Sequence, residues 1–386
     1  MKRVLISAVA AGALLGQLNA FEVYKDGDKS FGVFGVANAL VGYGLNFSNS
    51  MNGTTIDKNS KKTNGEFISG IQGNSRIGIN FTVGKVFGAA LIGVGEKTLR
   101  GQSIDTGFRQ LYAGYDFGDA GKLLAGKNEL VTSMGGFSSS IFDTESGLHG
   151  FGGVSTSTRR LQIAYSVAGL TFSISENDLS TKSATGQYYE IPRFSVGYEY
   201  KDSSIRAKVA AAYAHQRTGT NKNAFFLTAG IKPTFGDSYV SALLSYGFNA
   251  DKFAQNGGDM KIVTPSLGKG FGNASVSTDI TQTNLQTTQT NLVGVVLEYG
   301  MNLSDDLGFK IGAGYQYAHA QNVSGDFHSY AGFVQLPYKV GGGFSIIPQV
   351  GYLGTTIAST TKNNEGKYTS SNTGNFLAEV LFKIAF

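Results

Sequence analysis

The chain has 386 residues, with 54 Gly, 27 Phe and 19 Tyr, only 5 Pro, no Cys and a formal charge of +5. Abundant Gly and aromatics with few helix-favouring runs point to β structure. The near-neutral charge, with no clustered basic face, argues against nucleic-acid binding.

Residues 1–20 carry Lys2 and Arg3, then an apolar run, then Leu18-Asn19-Ala20. This is the pattern of a cleaved secretory signal, and it predicts a mature chain starting at Phe21. Without Lys2 and Arg3 the balance is 30 basic to 27 acidic side chains. No later stretch approaches the ~20 unbroken apolar residues that a spanning helix needs. An exported chain of this size without cysteines suggests a bacterial envelope protein that does without disulfides.

Alternation of apolar and polar residues then recurs along the chain, and it is the signal of strands with two different faces. Phe31–Leu45 predicts a first strand, apolar on both faces. The Gly-rich 88–95 stretch alternates weakly. Phe194, Val196, Tyr198 and Tyr200 alternate with Ser195, Gly197 and Glu199. Ile205, Ala207, Val209, Ala211 and Tyr213 alternate with Arg206, Lys208, Ala210 and Ala212. Phe309 to Tyr317 and Phe344 to Tyr352 follow the same rule. The last run is the clearest, with Phe376, Ala378, Val380, Phe382, Ile384 and Phe386 on one face.

Two kinds of connection alternate between these runs. Short ones are predicted at Thr82–Lys85, Gly118–Gly121, Val167–Gly169, Lys201–Ser203, Phe235–Asp237, Leu303–Asp306 and Val340–Gly343. Long ones are predicted near 46–64, 99–105, 131–157, 176–188, 217–223, 249–288, 321–327 and 358–372. Seven short and eight long connections imply sixteen strands, with both termini on the short-turn side. Among the long ones, 131–157 is rich in Gly and Ser. It also carries Phe137, Ile141, Phe142, Leu148 and Phe151, with Glu129, Asp143 and Glu145 nearby. A loop of that length with five large apolar side chains needs a surface to lie against.

Sixteen antiparallel strands leave long edges unless the sheet closes, and hydrocarbon demands closure because every backbone polar group must find a partner. The expected class is all-β, a 16-stranded antiparallel transmembrane barrel with an inward-folded third extracellular loop. Its apolar face would meet lipid and its polar face a wet lumen. Tyr43, Tyr115, Tyr200, Tyr299, Phe382 and Phe386 sit on the apolar parity near strand ends, as interfacial girdles do.

Several stretches resemble the trimeric general porins of Gram-negative outer membranes. Asn74-Ser75-Arg76-Ile77-Gly78 is similar to that family's second strand. Arg109-Gln110-Leu111-Tyr112-Ala113-Gly114 is similar to the fourth, and Leu124-Ala125-Gly126-Lys127-Asn128 to the fifth. Thr158-Arg159-Arg160 falls where the sixth strand supplies a pore arginine. Final Phe386 resembles the terminal aromatic read by the assembly machinery. Met134-Gly135-Gly136-Phe137 keeps only part of the family's loop motif, and the 249–288 loop is long for the family.

The resemblance implies residues 21–386 as one barrel, with 131–157 as its constriction loop. It implies passive diffusion of ions and small hydrophilic solutes, and a homotrimer set in outer-membrane lipid and lipopolysaccharide. It also implies a basic wall of Arg76, Arg109, Lys127 and Arg159 or Arg160, facing the acids Glu129, Asp143 and Glu145. Strand parity supports Arg76 and favours Arg160 over Arg159. For Arg109 parity fails unless a bulge intervenes.

No cofactor and no metal site is expected. His319 and His328 flank one loop, the only histidine pair that suggests metal binding. Gly268-Lys269-Gly270-Phe271-Gly272 looks phosphate-binding by letters alone. No Ser/His/acid grouping emerges, which disfavours a barrel enzyme. The alternatives are a solute-specific channel, which should carry aromatics on the lumen parity, and a surface adhesin built on the 249–288 loop.

Overall fold

The structure, a computed structural model, describes residues 21–52, 55–94, 107–139, 141, 147–155, 159–176, 188–218, 220–251, 260–263, 289–321, 325–362 and 368–386. These residues form one antiparallel sheet that closes on itself. The barrel strands, in chain order, are β1 Lys29–Asn52, β2 Thr55–Ile71 continued by Arg76–Val83, β3 Val86–Gly93 and β4 Phe108–Asp116. Then come β5 Lys122–Glu129, β6 Arg159–Val167, β7 Leu170–Ser175, β8 Tyr188–Lys201, β9 Ile205–Thr218 and β10 Thr220–Phe235. The circuit finishes with β11 Ser238–Phe248, β12 Thr290–Asn302, β13 Gly308–Ala320, β14 Asp326–Gln335 continued by Tyr338–Gly341, β15 Phe344–Lys362 and β16 Tyr368–Ala385. Each strand pairs with the next, and β16 pairs with β1 from Ala385↔Val36 to Thr373↔Ser48. This is the sixteen-stranded barrel that the alternation predicts. An N-terminal arm, Phe21–Asp26, folds back on the start of β1.

Two strands are interrupted. In β2 the partners of β1 step from Ile71↔Ala39 to Arg76↔Val36, so Gln72–Ser75 face only two residues of β1. Side chains and backbone close the gap: Gln72 N–H donates to Asn38 O at 2.8 Å, and Asn38 N–H to Ser75 Oγ at 3.0 Å. In β14 the break falls at Leu336-Pro337, where proline has no N–H to give the ladder.

The two faces separate as the alternation requires. Val293, Val295, Leu297 and Tyr299 of β12 point outward and are exposed, as are Ile311 and Tyr315 of β13. The six predicted girdle aromatics, Tyr43, Tyr115, Tyr200, Tyr299, Phe382 and Phe386, are all exposed on this outer face. Such an exterior suits hydrocarbon and not water. The inner face carries hydrogen-bonded polar ladders. Gln335 Nε2 donates to Gln349 Oε1 at 2.8 Å, and Gln349 Nε2 to Glu379 Oε2 at 2.7 Å. Thr228 and Ser245 share a bond of 2.9 Å, as Thr355 and Thr373 share one of 2.7 Å.

The inner face is not uniformly polar, however. Leu40, Phe226, Leu243, Leu292, Leu353 and Leu377 point inward and are buried in one cluster with residues of the 131–157 loop. They are the seat that the loop's apolar side chains require.

All seven predicted short connections are present, with two to five residues each. At one of them the Asp202 carboxylate accepts from the N–H groups of Ser204 and Ile205 and from Tyr200 Oη. These donors hold its pKa down at about 2. The stretches 46–64 and 217–223 differ from expectation. The ladder continues through them, to Asn52↔Thr55 and Thr218↔Thr220. The sequence there is mostly polar and without clear alternation, so it reads as loop, although the backbone pairing persists.

The wall is uneven in height. Strands β3–β7 have 6–9 residues, whereas β8–β13 have 11–16.

Phe386 completes the seam between β16 and β1. Gly35 N–H donates to Phe386 O at 2.8 Å, Phe386 N–H returns a bond to Gly35 O at 3.1 Å, and the ring lies over Gly35. Deleting Phe386 removes two hydrogen bonds worth about 0.5–1.5 kcal/mol each and uncovers the seam. The expected result is a lower assembled fraction in cells, read from heat-modifiable gel mobility, with unaltered conductance in the barrels that do fold. Normal assembly would show that the terminal residue is dispensable.

Candidate functional site

The 131–157 loop leaves β5 and runs over the inner wall rather than out into solvent. Leu130, Met134, Phe137, Ile141, Leu148, Phe151 and Val154 are all 0–3% exposed. Burying each contributes about 1.5–3 kcal/mol, so the seat supplies on the order of 10 kcal/mol before conformational entropy is subtracted.

The contacts trace the loop's path strand by strand. On β8, Arg193 Nη2 donates to Thr132 Oγ1 at 2.8 Å. On β9, Lys208 Nζ donates to Ser133 O at 2.7 Å, and Arg206 Nη1 to Gly135 O at 2.9 Å. On β10, Lys232 Nζ reaches Gly136 O at 3.1 Å. Ser241 of β11 donates to Phe137 O, and Glu298 of β12 accepts from Ser139 N–H. Lys310 of β13 donates to Ser139 Oγ at 3.3 Å, and Ser329 of β14 donates to Gly150 O. Ile141 lies beside Gly351 of β15, where an added Cβ would stand 3.5 Å from Ile141 Cδ1.

Glycines on the inner wall set the closeness of this fit. A Cβ on Gly230 would stand 2.7 Å from the Phe137 ring and 2.8 Å from Met134 Cε. One on Gly294 would stand 2.5 Å from Gly152 O. Backbone therefore lies directly on backbone, which no residue with a side chain permits.

The predicted basic residues separate into two groups. Arg159 Nη2 pairs with Glu129 Oε1 at 3.0 Å, with side-chain exposures of 9% and 7%. Arg76, whose neighbours Ile77 and Ile79 face outward, lies within electrostatic reach of both. Arg109 comes inward because β4 bulges there. Leu91↔Gln110 is followed by Ile92↔Phe108, so Arg109 is skipped in the pairing. Gln110 Nε2 meanwhile donates to Asn128 Oδ1 at 2.9 Å. Parity favours Arg160 over Arg159, yet the buried ion pair belongs to Arg159, and Arg160 donates to Arg159 O at 2.7 Å. Arg159 is the ladder partner of Glu129 at the loop end of β5 and β6, and the two side chains meet there against the expectation from parity.

Lys127 does not belong to this wall. It is exposed on the outer parity of β5, opposite Leu111 and Leu161, which are 52% and 58% exposed. Strict alternation from Leu123 and Ala125 carries it outward. Glu129 is the base of the loop, tied to Arg159, and does not face the arginines across an opening. Asp143 and Glu145, with Phe142, lie outside the described residues. His319 Nδ1 bonds to Asp326 Oδ1 at 2.8 Å and His328 Nδ1 to Tyr315 Oη at 2.7 Å. Among the described residues no group of three His, Asp or Glu side chains gathers as metal ligands.

Of the cations that hold the loop, sequence reading placed Arg206 and Lys208 in the lumen without their loop contacts, and missed Arg193, Lys232 and Lys310. Their signal was present in the strand alternation, since each sits on the polar parity of its strand. Lys383 of β16 joins them. It lies between the charges of Arg76 and Lys310, and among the described residues it has no hydrogen bond or ion pair. Arg159, Arg76, Lys383 and Lys310 thus form an arc of cations on the inner wall from β6 through β2 and β16 to β13.

No protein-family model matches the sequence, and no curated protein matches it. Solved structures do match. The outer membrane channel DcaP of Acinetobacter baumannii superposes with a TM-score of 0.60 at 15% identity, covering 94% of this chain and 99% of that one. The fold is that of the outer-membrane porins. An anion-selective porin from Comamonas acidovorans gives 0.55 at 13% identity, over 93% of this chain and all of that one. OmpT, an outer membrane protein of Vibrio cholerae, gives 0.53 at 12%, over 95% of this chain and all of that one. At such identities the likeness is one of fold.

Gly230→Leu should lift Met134 and Phe137 off the wall while leaving the barrel closed. Limited proteolysis of the folded protein should then cut between Leu130 and Ser155, where the parent chain resists. Glu129→Gln removes the buried carboxylate that pairs with Arg159 Nη2, and breaking a buried ion pair costs about 3–5 kcal/mol. Urea unfolding in detergent is expected to show a correspondingly lower midpoint.

Proposed function

We propose that this chain is an outer-membrane diffusion channel, a water-filled passage for ions and small hydrophilic solutes narrowed by the 131–157 loop. The observation that carries the reading is the seat of that loop on the inner wall of a closed sixteen-stranded ring. An element so placed reduces the cross-section without opening the sheet. Its acids Asp143 and Glu145 would then act opposite Arg76, Arg109 and Arg159. The fold shared with porins supports the channel reading, and the apolar exterior with its girdle aromatics supports a place in outer-membrane lipid beside lipopolysaccharide. Export would use residues 1–20 as a cleaved signal.

The channel prefers anions. Rings of fixed charge tune ion selectivity, and among the described residues the arc from Arg159 to Lys310 contains one ion pair. Glu298 and Glu379 on the same wall are already engaged by protein donors. One of the structural neighbours is itself an anion-selective porin. The working form is a homotrimer joined through the low wall of β3–β7, where six to nine residues per strand leave the least of the barrel's height to face lipid. A neighbour of the same fold has been solved in a trimer form.

Planar-bilayer recording tests this directly. Ohmic steps in groups of three are expected, with a zero-current potential of anionic sign. Arg76→Gln with Lys383→Gln should move that potential toward cations and enlarge the step, because two long side chains leave the passage. Shortening the loop between Gly136 and Gly150 should raise the sugar size limit in proteoliposomes. An unchanged limit would remove the loop from the constriction.

A further inference from the structure

The connection between β11 and β12 contains a short described segment, Met260-Lys261-Ile262-Val263, far from either strand in sequence. It does not stand out in solvent. Met260 is 0% exposed and Val263 4%. Met260 Sδ lies 3.0 Å from where a Cβ would stand on Gly247, beside Ala250, which is itself buried. Lys261 O accepts from Gln316 Nε2 at 2.6 Å, and Gln316 is an inner-face residue of β13, 1% exposed. The segment also meets the constriction loop. A Cβ on Gly150 would stand 2.5 Å from Val263 Cγ2 and 3.4 Å from Lys261 Cβ, while Gly150 O is held by Ser329 of the wall. Gly150 is therefore gripped from two sides, by the wall and by this segment.

Lys261 has no hydrogen bond or ion pair from its ammonium among the described residues. Burial alone acts on that group, and it lowers the proton affinity of the amine with no carboxylate to offset it. Among the described residues no carboxylate stands beside this ammonium, whose backbone is fixed to the inner face at Gln316.

We infer that residues 260–263 form a second inserted segment, which clasps the 131–157 loop at Gly150 and presents Lys261 as an anion-selecting group on the solute path. The clasp follows from packing alone. The selecting role rests on the channel reading proposed above, and the two are separable by experiment.

The chain has no cysteine, so introduced thiols report without background. In the full-length folded barrel, Gly247→Cys with Met260→Cys is expected to form a disulfide on mild oxidation, seen as a linked pair of tryptic peptides. The single variant Met260→Cys should resist a water-soluble thiol reagent until the barrel is unfolded. Absence of the disulfide, or labelling of the folded single variant at the unfolded rate, would overturn the clasp. The oxidised double variant should conduct like its reduced form, because the segment is already seated. A large fall in conductance on oxidation would mean that the native segment lies elsewhere.

For the selecting role, Lys261→Glu should shift the zero-current potential toward cations, and Lys261→Met should shift it by less. Both are scored on barrels with native heat-modifiable mobility. An unchanged potential in both variants, with the parent channel conducting, would remove Lys261 from the path. If the parent chain gave no steps at all, the channel reading would fail, and the disulfide would still decide the clasp.

Discussion

The structure depends on one requirement: a backbone surrounded by hydrocarbon has only itself to hydrogen-bond with. An open edge in lipid leaves a row of N–H and C=O groups without partners, each at a cost of several kcal/mol. The ring answers this by joining β16 to β1 over Ala385↔Val36 to Thr373↔Ser48, and the terminal residue extends the seam through its reciprocal bonds with Gly35. Even the local failures of the ladder obey the rule. Where β2 inserts extra residues, Ser75 Oγ takes the Asn38 N–H that would otherwise be left over.

Closure creates an inside, and the inside creates the problem that the long loop solves. Six large aliphatic and aromatic residues on the lumen parity would face water in an empty pore. The loop covers them with its own apolar side chains, so barrel and loop share one core. The fit is close because glycines stand where the two backbones meet. The loop carbonyls of Ser133, Gly135 and Gly136, which have no strand partner, are taken by Lys208, Arg206 and Lys232. Cations suit this task, since a carbonyl left unpaired in a dehydrated seam costs more than one satisfied by a charged donor.

The lumen cations therefore divide by what they touch. Those on β8–β10 are engaged with the loop and hold it. Among the described residues the arc from Arg159 through Arg76 and Lys383 contains a single ion pair, that of Arg159 with Glu129. At physiological salt, exposed charges are screened beyond about 8 Å, so only groups close to the passage shape its selectivity.

Strand count, the alternation of turn lengths, the outer aromatic girdle and the presence of an unusual loop were all legible in the sequence. They follow from the two-residue period of a strand and from the contrast between lipid and water, which act locally on every residue. Arg76 was legible for the same reason, as it lies in a regular stretch. Parity broke down at Arg109, where a bulge shifts the pleat, and at Arg159, which is drawn to Glu129 across the end of the ladder. Resemblance misplaced Lys127, since a matching motif does not override the direction in which alternation points a side chain. The ribbons that continue past 46 and 217 were read as loops because their sequence is mostly polar and does not alternate clearly. Only the tertiary structure decided which wall residues hold the loop, which glycines let it lie flat, and that residues 260–263 return to the lumen. Those contacts join positions far apart in the chain, as between Gly150 and Ser329, 179 residues on. No local period encodes such a meeting, because it exists only once the ring has closed and brought the two surfaces face to face.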